Sequence, residues 1–161
     1  MEKPLSLEDI ALQEADLHLT RFDSETVWRL GRWLVEKIRH EKLPVAVSLT
    51  RGGQRIFHFA NDGTSLDNDS WLDRKTRTVY RFSHSSLYMG RKLAAASATA
   101  QQKYNISESR YSFHGGAFPV FVKNVGLVGV IAVSGLAQED DHALAVEALR
   151  ALLKKTPPVK P

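Results

Sequence analysis

Two β-hairpin patterns, set far apart in the chain, most strongly constrain how this sequence can fold. Each pattern has two β-rich runs joined by turn residues, Gly52-Gly53 in the first and Lys123-Asn124 in the second. The four predicted strands are residues 45–49, 55–59, 117–122 and 126–133. Because two hairpins bury their apolar faces most economically in one sheet, we expect a central antiparallel sheet of about five strands, with residues 111–113 as the candidate fifth.

Capped segments with helical periodicity flank both hairpins. Each begins at side chains that commonly cap helices, or at acidic residues that favour a helix N-terminus. The predicted helix starts are Ser6, Asp23 or Ser24, Asn68, Ser85 or Ser86, and the segment after Gly135. The resulting order, ααββααββα, predicts an α/β (α+β) protein whose helices cover both faces of the sheet in a three-layer α/β/α arrangement.

The composition suits one domain spanning residues 1–161, in which the proline-rich tail at 156–161 is expected to be loose. The chain has no cysteine, which rules out disulfides and thiolate chemistry. It has no apolar run near the roughly 20 residues that a membrane span needs, and its first residues lack the apolar stretch of a signal peptide. We therefore expect a cytoplasmic protein with no membrane partner.

The modest net charge of +4 does not favour a nucleic-acid partner. The basic residues are spread through segments with helical spacing, and they are not interleaved with glycines or exposed aromatics as in nucleic-acid-binding surfaces. Solvated helix faces explain them more simply.

Several segments carry a pattern that is shared with a known family. The strongest motifs are GGxxP at residues 115–119, GVxxVSG at residues 129–135 and DDH at residues 140–142. Residues 44–53 and 68–82 match less specifically. With these motifs, the sequence resembles the haem-degrading-domain family, also called GlcG/HbpS-like, over about residues 20–153. Within that family it is most similar to the small stand-alone branch of bacteria and fungi.

The resemblance implies a profilin-like form of the three-layer fold, assembly into homo-oligomers and, in some members, binding of haem. It implies no proven reaction. Haem is therefore a candidate cofactor, and a second copy of the chain is the expected partner.

Residues near the shared motifs are candidates for a ligand site, and each has an alternative explanation. Trp71, Arg74 and Lys75 could stack on and pair with a planar acidic ligand, or the tryptophan could lie in the core with its basic neighbours in water. Gly115-Gly116 could present backbone N–H groups to an anion, or form a turn that needs positive φ. The full candidate set is Trp71, Arg74, Lys75, His84, His114, Gly115, Gly116, Asp141 and His142.

Three histidines and one serine are the candidates for metal binding, haem ligation or nucleophilic catalysis. His84 and His114 are predicted in loops beside the candidate pocket, and His142 in the first turn of the last helix. None has the spacing of a metal motif, so no built-in metal site is predicted, whereas haem ligation by one histidine needs no motif. A capping or hydrogen-bonding role is the alternative for His142. Ser134 lacks the sequence of a nucleophile elbow, and no catalytic residue is predicted.

Three functions stay open from the sequence. The first is an oligomeric module that binds a small planar or anionic ligand, with haem or a related tetrapyrrole as the named candidate. The second is a structural or adaptor oligomer without catalytic activity. The third is an enzyme that acts oxidatively on its bound ligand, although the chain shows no complete catalytic motif.

Overall fold

The computed structural model describes residues 3–154. Within them, the chain forms six helices and five strands. The helices are α1 (Leu7–Asp16), α2 (Ser24–His40), α3 (Leu66–Phe82), α4 (Ser86–Ala95), α5 (Ala100–Tyr104) and α6 (Gln138–Leu153), and the strands are β1 (His18–Leu19), β2 (Ala46–Arg51), β3 (Gln54–Ala60), β4 (Ala117–Val122) and β5 (Gly126–Ser134). The loose tail expected at residues 156–161 lies outside the described residues.

The five strands form one sheet in the order β1-β4-β5-β2-β3. Both predicted hairpins are present, and they join through antiparallel pairing of β2 with β5, where Ser48 lies opposite Ala132. The fifth strand is not the expected one, because residues 111–113 form no strand and β1 pairs with β4 in parallel at the sheet edge. Two residues are too few to show a period-two pattern, so β1 carries no strand signal in the sequence.

Residues 111–113 pair with α3 instead of with the sheet. The N–H of Ser112 donates to the carbonyl oxygen of Arg74 at 3.1 Å. The hydroxyl of Thr78 donates to the carbonyl oxygen of Ser112 at 2.7 Å. These bonds satisfy the loop backbone beside a helix, which places His114 next to the middle of α3.

The two faces of the sheet differ in the size of their side chains. Strand alternation sends large residues such as Val47, Phe118 and Ile131 to the face covered by α2 and α6. It sends small residues such as Ala117 and Ala132 to the face covered by α3. Helices on both faces confirm the three-layer α/β/α prediction, and the small residues leave room for polar side chains of α3 at the sheet.

Helix α3 turns toward the sheet the face on which helical spacing groups Trp71, Lys75 and Val79, but it buries the lysine more deeply than the tryptophan. It begins at Leu66, after a capping box formed by Ser65, slightly before the predicted start. Its buried residues are Leu72, Lys75, Thr78 and Val79. Trp71, the expected core anchor, is only partly buried. Lys75 therefore lies buried against the sheet, one helical turn from a tryptophan that hydrophobicity alone would place deeper.

Helix α1 packs against α4. The buried carboxylate of Glu14 in α1 accepts a hydrogen bond of 2.6 Å from the N–H of Ser85, which satisfies a backbone donor at the start of α4. None of the helices between residues 3 and 154 is long and apolar enough to cross a membrane.

Candidate functional site

Two neighbouring clefts share Trp71, His114 and Gln138 as walls. The aromatic cleft, of about 360 Å³, lies on one side of these residues and is lined also by Arg74, Arg91, Tyr111 and Phe113. The lysine cleft, of about 370 Å³, lies on the other side and is lined also by Asn68, Lys75, Ser134 and Asp141. Each volume is at the lower end of the range for small-molecule sites.

A stack of three side chains lies beside the clefts; Trp71 and His114 line both clefts, and Arg74 lines the aromatic cleft. The Trp71 and His114 rings meet edge to face, with centroids 5.5 Å apart and planes at 84°. The guanidinium of Arg74 lies over the Trp71 ring, 3.9 Å from its centroid. Because Arg74 is three residues after Trp71 on α3, helical geometry brings the two side chains together. The stack combines a flat apolar wall, a permanent positive charge and an exposed imidazole.

A buried ion pair forms the floor of the lysine cleft. The Nζ of Lys75 lies 3.1 Å from Oδ2 of Asp141, and their side chains are 4% and 3% exposed. Lys75 also donates to the carbonyl oxygen of Val133 at 3.0 Å. Asp141 accepts from the N–H of Leu136 at 2.9 Å. Burial lowers the pKa of Lys75 and raises the pKa of Asp141, while the contact between the two charges opposes both shifts.

Gly116 makes room for the ion pair. A Cβ at this position would lie 2.7 Å from Nζ of Lys75 and 2.4 Å from the carbonyl oxygen of Val133. Its φ of +137° is also one that L residues rarely adopt. The turn explanation therefore holds for Gly116.

Gly115 does not offer a free backbone donor to an anion. Its N–H donates to Oε1 of Gln138 at 3.0 Å, so the anion-binding alternative does not apply to Gly115. The structure instead uses Gly115 for close packing, because a Cβ there would lie 2.5 Å from the carbonyl oxygen of Gln138. The positive groups near the clefts are thus side chains.

Comparison with known proteins places this architecture in a family. Residues 22–150 match the family described as haem degrading protein HbpS-like. The chain belongs to the HbpS-like family. A UPF0303 protein of Streptomyces avermitilis is 42% identical over 153 residues, which cover 95% of this chain and 94% of that protein. The resemblance seen in the sequence motifs is thereby confirmed.

Two solved structures share this fold at different levels of sequence identity. The crystal structure of the Ybr137w protein matches with a TM-score of 0.87 at 31% identity, covering 94% of this chain and 90% of that one. The crystal structure of a PduOC:haem complex matches with a TM-score of 0.69 at 18% identity, covering 81% of this chain and 94% of that one. At such low identity the second likeness shows the fold alone.

His84 does not join the site of this HbpS-like chain. Its Nδ1 lies 2.7 Å from Oε2 of Glu14, and its ring stacks on Tyr88 with centroids 4.1 Å apart. It lines neither cleft. The sequence could not show this placement, because Glu14 belongs to α1, far away in the chain.

His142 also lies away from the clefts. It is fully buried, with Nε2 2.7 Å from Oε1 of Gln13 and the ring edge against Phe118. Its Nδ1 has no hydrogen-bond partner among the described residues. Burial lowers the pKa of His142 to about 4, with smaller effects from the positive charges of Arg91 and Arg150. The hydrogen-bonding alternative is the one that this geometry supports.

Acidification is expected to destabilise the fold through His142. Between its folded pKa of about 4 and its ordinary value of 6.5, the unfolded chain binds a proton that the folded chain does not. Stability should therefore fall by about 3 kcal/mol as the pH drops through this window, and this term should be constant above it. Urea unfolding at a series of pH values measures the effect.

The matched variants for this measurement are His142→Gln and His40→Gln, of which the second alters an exposed residue. The pH dependence should become flatter in the first variant and stay unchanged in the second. If the free energy of unfolding falls with pH as steeply in His142→Gln as in the parent protein, the acid sensitivity does not arise from His142.

Several polar lining residues were not predicted as site residues from the sequence, among them Gln138, Arg91 and Asn68. Gln138, which fixes Gly115, is the first residue of α6 and shortly follows the GVxxVSG motif. Arg91 lines the aromatic cleft and pairs with Glu139 at 3.1 Å. Asn68 was expected only as a helix cap, yet it also lines the lysine cleft. Gln138 could have been predicted as a site residue because it closely follows a family motif. Arg91 could not, because it reaches the site only through the packing of α4.

Proposed function

We propose that this HbpS-like protein is a binding module for a small planar, anionic ligand, with haem or a related tetrapyrrole as the best named candidate. The observation that carries the proposal is the stack of Arg74, Trp71 and His114 beside the two clefts. A flat ligand laid against this stack would contact an aromatic wall, a guanidinium and an imidazole at once.

The charge on Arg74 is available to such a ligand. Among residues 3–154, Arg74 has no ion pair, and its side chain donates one hydrogen bond of 3.3 Å to the hydroxyl of Ser70. Arg91, the other arginine of the aromatic cleft, is paired with Glu139. An incoming carboxylate would therefore pair with Arg74 without displacing an existing acidic partner.

The side chains that line the two clefts have the chemical groups that binding of haem requires. His114 is exposed, and no hydrogen bond is recorded to its ring nitrogens among the described residues, so its imidazole can serve as an iron ligand. Trp71, Tyr111 and Phe113 supply apolar surface for the ring. Each cleft alone is small, so a tetrapyrrole would lie across both of them rather than within one. The PduOC relative was solved with haem, which adds support at the level of the fold.

The experiment is a haem titration of the purified protein, followed by the Soret band. We expect saturable binding at one haem per chain. The variant Arg74→Ala should weaken binding at least tenfold, because it removes a charge-assisted contact worth about 1.5–3 kcal/mol. The variant His114→Ala should shift or abolish the Soret band of the complex, because it removes the candidate iron ligand.

The controls are Arg29→Ala and His40→Ala, which remove exposed side chains of α2 that line neither cleft. They should bind haem as the parent protein does. If the parent protein binds no haem, or if the site variants and the controls bind equally, the proposed haem site is excluded.

Assembly into a homo-oligomer is a second proposed property. Its structural support is a set of large apolar side chains that face solvent in the single chain: Leu12, Trp28, Leu66 and Val125, each at least 58% exposed. Burying such residues between copies would remove apolar surface from water. Light scattering at micromolar concentration is expected to show a dimer or a larger species, and a monomer would contradict the proposal.

A further inference from the structure

The lysine cleft has a feature that a purely structural ion pair does not require. An ammonium group carries three hydrogens, and the structure provides two acceptors for Lys75, the carbonyl oxygen of Val133 and the carboxylate of Asp141. The described residues supply no third acceptor. Because Lys75 lines the cleft, a molecule in the cleft, either water or a ligand, can accept the third hydrogen.

We infer that Lys75 binds a carboxylate oxygen of the ligand, so that the site selects planar carboxylic acids. This inference rests on the proposed binding function and specifies its ligand class. The planar body would lie on the stack of Arg74, Trp71 and His114, and its carboxylate would reach into the lysine cleft. Trp71, His114 and Gln138 line both clefts, so one ligand can contact the two together.

The negative charge of Asp141 does not exclude a carboxylate from this cleft. Its two oxygens are already engaged by Lys75 and by the N–H groups of Leu136 and Gly135, at 2.9 Å and 3.4 Å. The carboxylate of Asp67, which also lines this cleft, accepts a hydrogen bond of 3.2 Å from Nε1 of Trp71, and Asn68 adds a donor without a charge. The side-chain amide of Asn68 donates to the hydroxyl of Ser134 at 3.3 Å and to the carbonyl oxygen of Ser134 at 3.5 Å. Because both distances are long, these hydrogen bonds hold the amide only weakly.

Stability alone gives little reason for a lysine at this position. A buried ion pair is often no more stabilising than apolar side chains of the same size, because both charges lose their hydration. Here the pair also depends on a glycine at position 116 and on small residues across the sheet face. A positive charge that is held in place at a cleft floor is, by contrast, what recognition of a carboxylate requires.

The first test uses the unaltered protein and two probes, haem and haem dimethyl ester, in which both carboxylates are esterified. We expect haem to bind at least tenfold more tightly than the ester. Equal affinities would overturn the inference, together with the carboxylate contact of Arg74, and leave haem binding itself intact. This comparison needs no variant, so it does not depend on the folding of a mutant protein.

The second test uses benzoate, a small planar carboxylate, and follows the backbone amide resonances of Gly135 and Leu136 by NMR. These resonances are expected to shift on titration, whereas benzamide, the uncharged analogue, should leave them unchanged. The double variant Lys75→Met/Asp141→Asn removes the two charges together and should lose the benzoate response. The control Lys37→Met/Glu41→Gln removes an ion pair at the end of α2 and should keep the benzoate response.

The outcomes separate this inference from the proposed function. A benzoate response that depends on Lys75, in a protein that does not bind haem, would support the carboxylate subsite and exclude haem as its ligand. The absence of a benzoate response, or an equal response in the double variant, would overturn the assignment of Lys75 whatever the haem result.

Discussion

Replacing Gly116 with alanine is expected to lower the free energy of unfolding by about 4 kcal/mol. The positive φ of Gly116 costs an L residue about 1–3 kcal/mol. The added Cβ would also lie 2.4 Å from the carbonyl oxygen of Val133 and 2.7 Å from Nζ of Lys75. Neither neighbour can move away without losing its hydrogen bond, and overpacking of this kind adds about 1–3 kcal/mol. Urea unfolding followed by circular dichroism measures the loss.

Gly126→Ala is the matched control for this substitution. Gly126 has a φ of +112°, but a Cβ there would have no neighbour within 4 Å. Its replacement should therefore cost only the backbone strain, about 1–2 kcal/mol. A Gly116→Ala protein as stable as Gly126→Ala would show that the region around Lys75 is less tightly packed than described.

The second large effect is expected from Lys75→Met, which should lower the free energy of unfolding at pH 7 by about 3–5 kcal/mol. The reason is that the carboxylate of Asp141 would remain buried without its cation. The loss should become smaller as the pH falls, because burial raises the pKa of Asp141 and its protonated form carries no charge to desolvate. Urea unfolding at pH 7 and at pH 5 measures both parts of the prediction.

Two further proteins test the physical reason. In Lys75→Met/Asp141→Asn neither charge is left unpaired, so most of the lost stability should return. In Lys37→Met the ion pairs removed are partly exposed ones with Glu41 and Glu147, and the change should be at most about 1 kcal/mol. If the double variant is as unstable as Lys75→Met, the loss arises from packing rather than from an unpaired charge.

Much of the fold could be predicted because its signals are local. Both hairpins carry their turn residues and their strand patterns within about twenty residues, and the structure contains both. The capped helix starts were also recognisable, as with the capping box at Ser6. β1 was missed, because two residues held by pairing with β4 have no pattern of their own. Residues 111–113 were expected as a strand because their composition suits one, but they bind to α3.

The candidate site was predictable in part. Family motifs pointed to Trp71, Arg74, Lys75, His114 and Asp141, and the structure brings all five to the two adjoining clefts. His84 and His142 were placed with them because they lie near the motifs in the chain. Their side chains instead bind Glu14 and Gln13 of α1, and no local pattern reports such distant contacts.

By itself, the sequence determined the α/β class, the two hairpins and the membership of a haem-degrading-domain family, because each depends on neighbouring residues or on motifs. Only the tertiary structure shows how deeply each residue on the sheet-facing side of α3 is buried. Trp71 and Lys75 are four residues apart and lie on the same side of the helix, and hydrophobicity predicts that the tryptophan is the more deeply buried of the two. The small side chains opposite α3, the absent Cβ of Gly116 and the carboxylate of Asp141 make room for Lys75 and balance its charge, so the lysine is the more deeply buried. These residues are far apart in the chain, and their combined effect on Lys75 exists only once the sheet and helices have assembled.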